Sequence, residues 1–312
     1  MIISASRRTD IPAFYSRWFM DKVQKEKCVY YNPYNNHGYE LSLTPEDVDV
    51  LVFWSKNYIP LMSYLKDLKV KYNLFFHYTI TGITNDSLEP EVIDIDKAIS
   101  NFKRLVELFG PEKVRWRFDP VLFTVETDEN YYLQKFKYIS DKLKDHTQSC
   151  YFSIAHIYKK VKRNFSKIDD INILFKTEKE KKMFSDKLAE IASNRNITLY
   201  SCCNDFLINK KIKKSSCIDA TYFNKIFNLN LDVSRAPTRD QCNCYKSTDI
   251  GVYNTCPHGC IYCYANYNQK KALRNYNEHH YQQEFLGNIE LKNIKRIKKD
   301  RTNNQKQMNL FK

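Results

Sequence analysis

Residues 249–263 read Asp-Ile-Gly-Val-Tyr-Asn-Thr-Cys-Pro-His-Gly-Cys-Ile-Tyr-Cys, a short β-branched run that feeds directly into a loop with three cysteines. A strand that ends in a ligand-bearing loop is the first half of a βα unit, and Tyr264 onward reads as the helix that completes it. Cys256, Cys260 and Cys263 put three sulfurs within eight residues and leave a partner position open. That suits a metal centre which must also hold a second molecule. Thiolates hold iron–sulfur clusters, normally four at a time, so a four-iron cluster with three protein ligands keeps one iron free. The competing reading is structural zinc, pairing Cys260 and Cys263 with Cys242 and Cys244, because zinc takes four Cys or His ligands at short spacings. The three-residue gap and the aromatic Tyr262 favour the cluster over zinc. A disulfide framework is weaker than either.

Upstream of this unit, short apolar or β-branched runs alternate with amphipathic helical patterns, the signature of βα units and a parallel sheet. Six strands are expected before the cysteine loop, at 2–5, 50–54, 74–79, 114–118, 151–155 and 197–202, and 249–253 makes a seventh. Ile95, Ala98, Ile99, Phe102, Leu105, Val106 and Phe109 recur at helical spacing, and Gly110 supplies a C-terminal stop. Thr177 and Glu180 form a capping-box pattern that opens another helix. Between 28 and 43 the chain reads as an inserted hairpin turning at Asn35-Asn36-His37-Gly38.

The bulk numbers narrow the class. At 312 residues the chain can bury a sizeable core as one large α/β domain or two ordinary ones, and nothing forces a split. No apolar run reaches the roughly 18–20 residues of a membrane span, and the amino terminus shows no signal-peptide pattern, so a cytoplasmic protein is expected. Ten cysteines in a reducing compartment point to metal or redox chemistry, and eight of them fall after residue 200. The net charge of +14 favours an anionic partner, most simply nucleic acid. Half of that charge lies in 291–312, where eight Lys or Arg face one Asp. Such a tail is by itself a solvated end.

The Cys-x3-Cys-x2-Cys loop with Tyr262 before its last cysteine resembles the signature of the radical S-adenosylmethionine (SAM) enzymes. That resemblance implies a [4Fe-4S] cluster on Cys256, Cys260 and Cys263, SAM on the free iron, a reducing electron donor, and a TIM-like partial or full (β/α) barrel. In those enzymes the cluster loop follows the first strand; here its βα unit is last, so the expected barrel is circularly permuted. Permutation is physically reasonable, since first and last strands of a barrel are neighbours and active loops share one face. A SAM site needs cations or hydroxyls for the carboxylate, acceptors for the ribose and a flat surface for adenine. Arg7, Arg8 and Lys56 are candidates for the first, Asp10 and Asp119 for the second, and Tyr262 for the third. Charged residues at strand ends can equally pair with each other, as Arg117 with Asp119. The glycine-rich loop that many such enzymes use to grip methionine is missing, with Ser6 to Asp10 in its place.

Cys202, Cys217, Cys242 and Cys244 make a plausible second four-sulfur site, for an auxiliary iron–sulfur cluster or zinc, with Cys203 a spare neighbour. Free cysteines are also commonly buried as small hydrophobes. The opening Ser-Ala-Ser-Arg-Arg-Thr-Asp-Ile-Pro, Phe53-Trp54-Ser55-Lys56-Asn57, Arg117-Phe118-Asp119-Pro120, Cys217-Ile218-Asp219 and the closing cysteine loop with Tyr264-Ala265-Asn266 resemble a bacterial family catalogued only as a domain of unknown function. The same loop is similar to that of radical SAM proteins related to spore photoproduct lyase, which act on DNA. Gln307-Met308-Asn309-Leu310-Phe311 is similar to the peptide with which repair proteins dock on the sliding clamp.

The expected organisation is a permuted barrel over 1–287, with a cysteine-rich region at about 202–267, and a basic tail over 288–312. The expected function is radical SAM chemistry on nucleic acid. A small-metabolite substrate stands as one alternative, and a zinc-stabilised nucleic-acid-binding module as the other.

Overall fold

A computed structural model describes residues 1–84, 87–157, 159–166, 171–287 and 293–295. Its strands are β1 (Ile2–Ala5), β2 (Lys27–Asn32), β3 (His37–Ser42), β4 (Val50–Ser55), β5 (Leu74–Thr79), β6 (Val114–Val121), β7 (Ser149–Ile154), β8 (Thr198–Ser201), β9 (Ile212–Lys214), β10 (Thr248–Asp249) and β11 (Asn293–Lys295). Its helices are α1 (Ile11–Phe14), α2 (Ser16–Gln24), α3 (Leu65–Lys71), α4 (Ile95–Phe109), α5 (Glu129–Leu143), α6 (Lys159–Phe165), α7 (Glu178–Ser193), α8 (Ala220–Phe227) and α9 (Gln269–Asn277).

Eight strands form one parallel sheet in the order β10-β1-β4-β5-β6-β7-β8-β9. All six residues of β4 and all six of β7 are buried, which is why these strands read as continuous apolar runs. Successive side chains serve opposite faces. Leu51, Phe53, Phe76, Trp116 and Phe152 belong to the large core under the helices, whereas Val50, Val52, Trp54, Phe75 and Tyr151 belong to a second core on the other face. That second face is covered by chain from Cys202 to Tyr245, with Phe223 of α8 5.0 Å from Phe75 between ring centroids.

The helix stripe is explained in the same way. In α4 Ala98, Ile99, Phe102, Leu105, Val106 and Phe109 are buried, Asp94 accepts from the amides of Asp96 and Lys97 at its start, and Gly110 at φ 88° closes it. Thr177 and Glu180 complete the capping box of α7. The inserted hairpin is β2 paired antiparallel with β3.

Two expectations change. The seventh strand pairs over Thr248–Asp249 alone, because Asp249 turns its carboxylate back into the loop after β1 and ends the ladder. The helix after the cysteine loop starts at Gln269, not Tyr264: the Asn254 side chain takes the amides of Tyr267 and Asn268, and Asn268 caps α9. The two edges of the sheet are β10 and β9, and among the described residues no pairing joins them.

Candidate metal centre at the carboxyl edge of the sheet

β10 lies beside β1, so the loop after β10 shares the carboxyl edge of the parallel sheet with the loops after β1 and β4. This is the edge at which open α/β sheets place ligands. Asp249 ties the two ends of the chain there. Its carboxylate accepts from Ser4 Oγ (2.6 Å), Ser6 Oγ (2.8 Å), the Arg7 amide (2.9 Å) and Arg8 Nε (3.1 Å). Burial alone would raise the carboxyl's pKa, but Arg8 and Arg7 win and hold it at about 2. Gly251 lets the strands approach, since a Cβ there would lie 1.8 Å from Ser6 Oγ.

The cysteine loop is held from below by two carboxylates. Asp10 takes Ser55 Oγ at 2.6 Å, the Lys56 amide at 2.8 Å and the Ala13 amide at 3.0 Å, and it lies 2.7 Å from Nε2 of His258 inside the loop. The other ring nitrogen of His258 is 3.0 Å from the Glu91 carbonyl. Glu89 accepts from Lys56 Nζ (2.8 Å), Thr81 Oγ1 (3.0 Å) and the hydroxyl of Tyr262. The Ile261 amide donates to the Leu88 carbonyl and the Glu91 amide to the His258 carbonyl, so 88–91 runs against the loop as a second backbone support. Asn266 and Gln269 fix the carbonyls of Cys256 and Cys260. Gly259 turns the loop at φ 71°.

Cys260 is buried and Cys256 and Cys263 are partly so. Burial pushes the thiols of Cys256 and Cys260 up; Asp10 adds to the rise at Cys256, and the Lys56 ammonium opposes it at Cys260. For Lys56 the burial penalty is outweighed by Glu89 and Cys260, which keep the ammonium above its usual range. Tyr262 is raised by burial and then by Glu89. Among the described residues no three His, Cys, Asp or Glu side chains close around a single metal ion.

The residues proposed for SAM are all at this edge, and each has a protein partner. Arg7 and Arg8 lie on Asp249, Asp10 on His258 and Ser55, Lys56 and Tyr262 on Glu89, and Asp119 on Arg117 and Ser153. One donor is left over. Nη1 of Arg7 is buried without a hydrogen-bond partner among the described residues, while Nη2 donates to Ser247 Oγ at 2.8 Å. Arg7 lies in the field of Asp249, then of Cys244, Tyr264 and Cys217.

Cys202, Cys217, Cys242 and Cys244 do come together, and Cys203 joins them. Its sulfur is 3.9 Å from that of Cys202, which is 3.8 Å from that of Cys217. Arg117 Nη1 donates to Cys217 Sγ at 3.0 Å, and Arg239 Nη2 to Cys202 Sγ at 3.7 Å. Hydrogen bonds from Cys203 and Cys217, helped by Arg117 and Arg239, hold Cys202 well below the usual thiol range against the effect of burial. Sequence reasoning missed Asp249, Glu89 and His258 as supports; an acidic residue directly before a βα loop, and a histidine inside the cysteine loop, were the available signals. The sliding-clamp peptide at Gln307–Phe311 lies outside the described residues.

The architecture defines an α/β protein with a large parallel sheet and a cysteine-rich carboxyl edge. The chain matches the family described as Domain of unknown function (DUF1848) over residues 2–265 and belongs to it. That span ends just beyond Cys263, so the cysteine loop is part of the shared domain. No curated protein matches the chain. No solved structure matches it either.

Proposed function

We propose that the chain is an iron–sulfur enzyme of the radical SAM type, with Cys256, Cys260 and Cys263 as three ligands of a [4Fe-4S] cluster. The observation that carries this reading is a three-thiol loop, fixed on the carboxyl edge of a parallel sheet, with the orphaned Arg7 Nη1 at the same edge. The donor set fits the group. In a four-iron cluster each thiolate takes a different iron, so the sulfurs need not close on one point. When bound by Cys256, Cys260 and Cys263, the cluster would supply one-electron reductive cleavage of SAM, with methionine as the leaving group, and through it hydrogen-atom abstraction from the substrate.

The chain's own residues position and shield. Asp10 and His258 orient the loop, Glu89 holds Tyr262 and Lys56 against Cys260, and burial of Cys260 keeps water away. Arg7 Nη1 is the donor for the SAM carboxylate, and Asp119 stays as the acceptor for its ribose. We read the sheet as a partial (β/α) barrel, permuted so that its cluster-bearing unit comes last; β10 beside β1 supports this.

Nucleic acid is the favoured substrate. Besides the +14 charge, Tyr264 and Tyr267 just after the loop are 42% and 45% exposed, and Tyr253 lies 6.5 Å from Tyr267. Exposed rings beside a reactive edge can stack on bases. A cytoplasmic setting, with the tail peptide docking on the sliding clamp, completes the reading.

Incubating the anaerobic, reconstituted protein with dithionite and SAM tests it. Release of 5′-deoxyadenosine and methionine, lost in Cys260→Ala, is expected; no release despite a full cluster overturns it. Affinity for DNA that falls steeply with salt distinguishes nucleic acid from a small metabolite. A colourless protein with zinc alone would leave the binding-module reading.

A further inference from the structure

Five cysteines away from the loop form a closed ring drawn from three stretches of chain. Cys202 and Cys203 follow β8, Cys217 precedes α8, and Cys242 and Cys244 lie in the turn before β10. Around the ring, Cys203 touches Cys202 at 3.9 Å and Cys202 touches Cys217 at 3.8 Å. Cys244 sits beside Cys217, accepting from the amide of the next residue, Ile218, at 3.5 Å, and Cys242 and Cys203 lie in each other's field. Four of these sulfurs also have a hydrogen-bond partner outside the ring. Cys217 takes Arg117 Nη1 at 3.0 Å, Cys202 takes Arg239 Nη2 at 3.7 Å, Cys242 faces Thr238 Oγ1 at 3.7 Å, and Cys244 takes the Ile218 amide at 3.5 Å.

We infer that Cys202, Cys217, Cys242 and Cys244 are a structural site for one tetrahedral zinc ion, with Cys203 standing beside it as a fifth sulfur. Spacing selects a single ion over a four-iron cluster. A zinc–sulfur bond of about 2.3 Å in tetrahedral geometry sets sulfurs about 3.8 Å apart, the separation of Cys202 and Cys217, whereas a four-iron cluster spreads its thiolates over different irons. Zinc with four thiolates carries two negative charges, which Arg117, shared with Asp119, and Arg239 are placed to offset with guanidinium groups at two of the sulfurs. The sulfurs now stand around a ring and not around a point, so loading the ion draws four of them inward and displaces their protons.

The site has a clear mechanical use. Between Cys217 and Cys242 the only regular element among the described residues is the eight-residue α8, and this stretch packs on the second core of the sheet. A zinc ion would cross-link that cover to the end of β8, as structural zinc does in small domains with little regular structure. It would also keep Cys217 and Cys244 beside Arg7, at the edge where the loop lies.

The test uses the full chain with Cys256, Cys260 and Cys263 all changed to Ala, so that only the ring can bind metal. Purified from medium holding both zinc and iron, this variant should contain about one zinc per chain and no acid-labile sulfide. Adding Cys242→Ala and Cys244→Ala should remove the zinc. Should those variants fail to fold, titrating the unmodified protein with a mercurial must release one zinc as the ring thiols react. Cobalt exchanged into the site should then give the intense visible bands of a four-coordinate thiolate ion. Iron with labile sulfide in the loop-less variant would overturn the inference, as would folded protein that, purified from zinc-containing medium, holds no zinc and has ring thiols that alkylate freely.

Discussion

Asp249→Asn removes the charge that joins the last strand of the sheet to the first. The carboxylate is largely buried, with 13% of its side chain exposed, and pairs with Arg8 at 3.1 Å and Arg7 at 3.7 Å. Its pKa falls from 3.8 to about 2, so the folded state favours the ionised form. A depressed carboxyl contributes stability that is present above its unfolded pKa and is lost as pH falls through the folded one. The shift corresponds to about 2 kcal/mol at pH 7, roughly half of it left at pH 3 and little below pH 2. Asn would also replace one acceptor oxygen by a donor facing Ser4, Ser6 or the arginines, so about 2 kcal/mol is a lower bound. For a chain of this size the melting temperature should fall by roughly 3 °C. Urea unfolding of metal-free, reduced wild type and variant at pH 7 and pH 3 is the assay. Equal midpoints at pH 7, or a gap that does not narrow at pH 3, would refute the assignment of Asp249 as the clamp.

Two further changes probe the support of the loop. Glu89→Ala leaves the buried Lys56 ammonium unpaired and frees Tyr262, so it should cost about 3–5 kcal/mol in urea unfolding and speed alkylation of Cys260; an unchanged midpoint would show the pair to be dispensable. Gly251→Ala sets a methyl group against Ser6, whose Oγ would lie at 1.8 Å, and should cost about 1–3 kcal/mol by thermal melting, partly recovered in the Ser6→Gly background.

The sheet was legible because parallel strands are buried on both faces, and runs such as Val50–Trp54 and Leu74–Tyr78 carry that burial in their own composition. The stripe of α4 and the capping box of α7 are equally local signals. β9 and α8 left no trace to read, since three and eight residues give too few periods. The end of β10 was misplaced because Asp249 is turned inward by partners some 240 residues away. The site divides in the same way. Cysteine spacing is written along the chain, but the supports are not: Glu89 meets Tyr262 across 173 positions and Asp10 meets His258 across 248. Cys203 read as a spare because its neighbour Cys202 sufficed for a four-sulfur set; its left-handed backbone at φ 56° carries it into the ring. The candidate SAM ligands all fall at the carboxyl edge of the sheet, yet a sequence cannot say which charges the protein has already matched, and the orphaned Nη1 of Arg7 is visible only in three dimensions.

Cys256, Cys260 and Cys263 are proposed to hold a four-iron cluster with an iron open to SAM. An electron paramagnetic resonance spectrum of the anaerobic, dithionite-reduced protein, recorded with and without SAM, reads that iron without intermediary. A reduced [4Fe-4S] signal that shifts when SAM is added and disappears in Cys260→Ala is expected. A cluster signal indifferent to SAM, or no signal from a protein that binds only zinc, would contradict it.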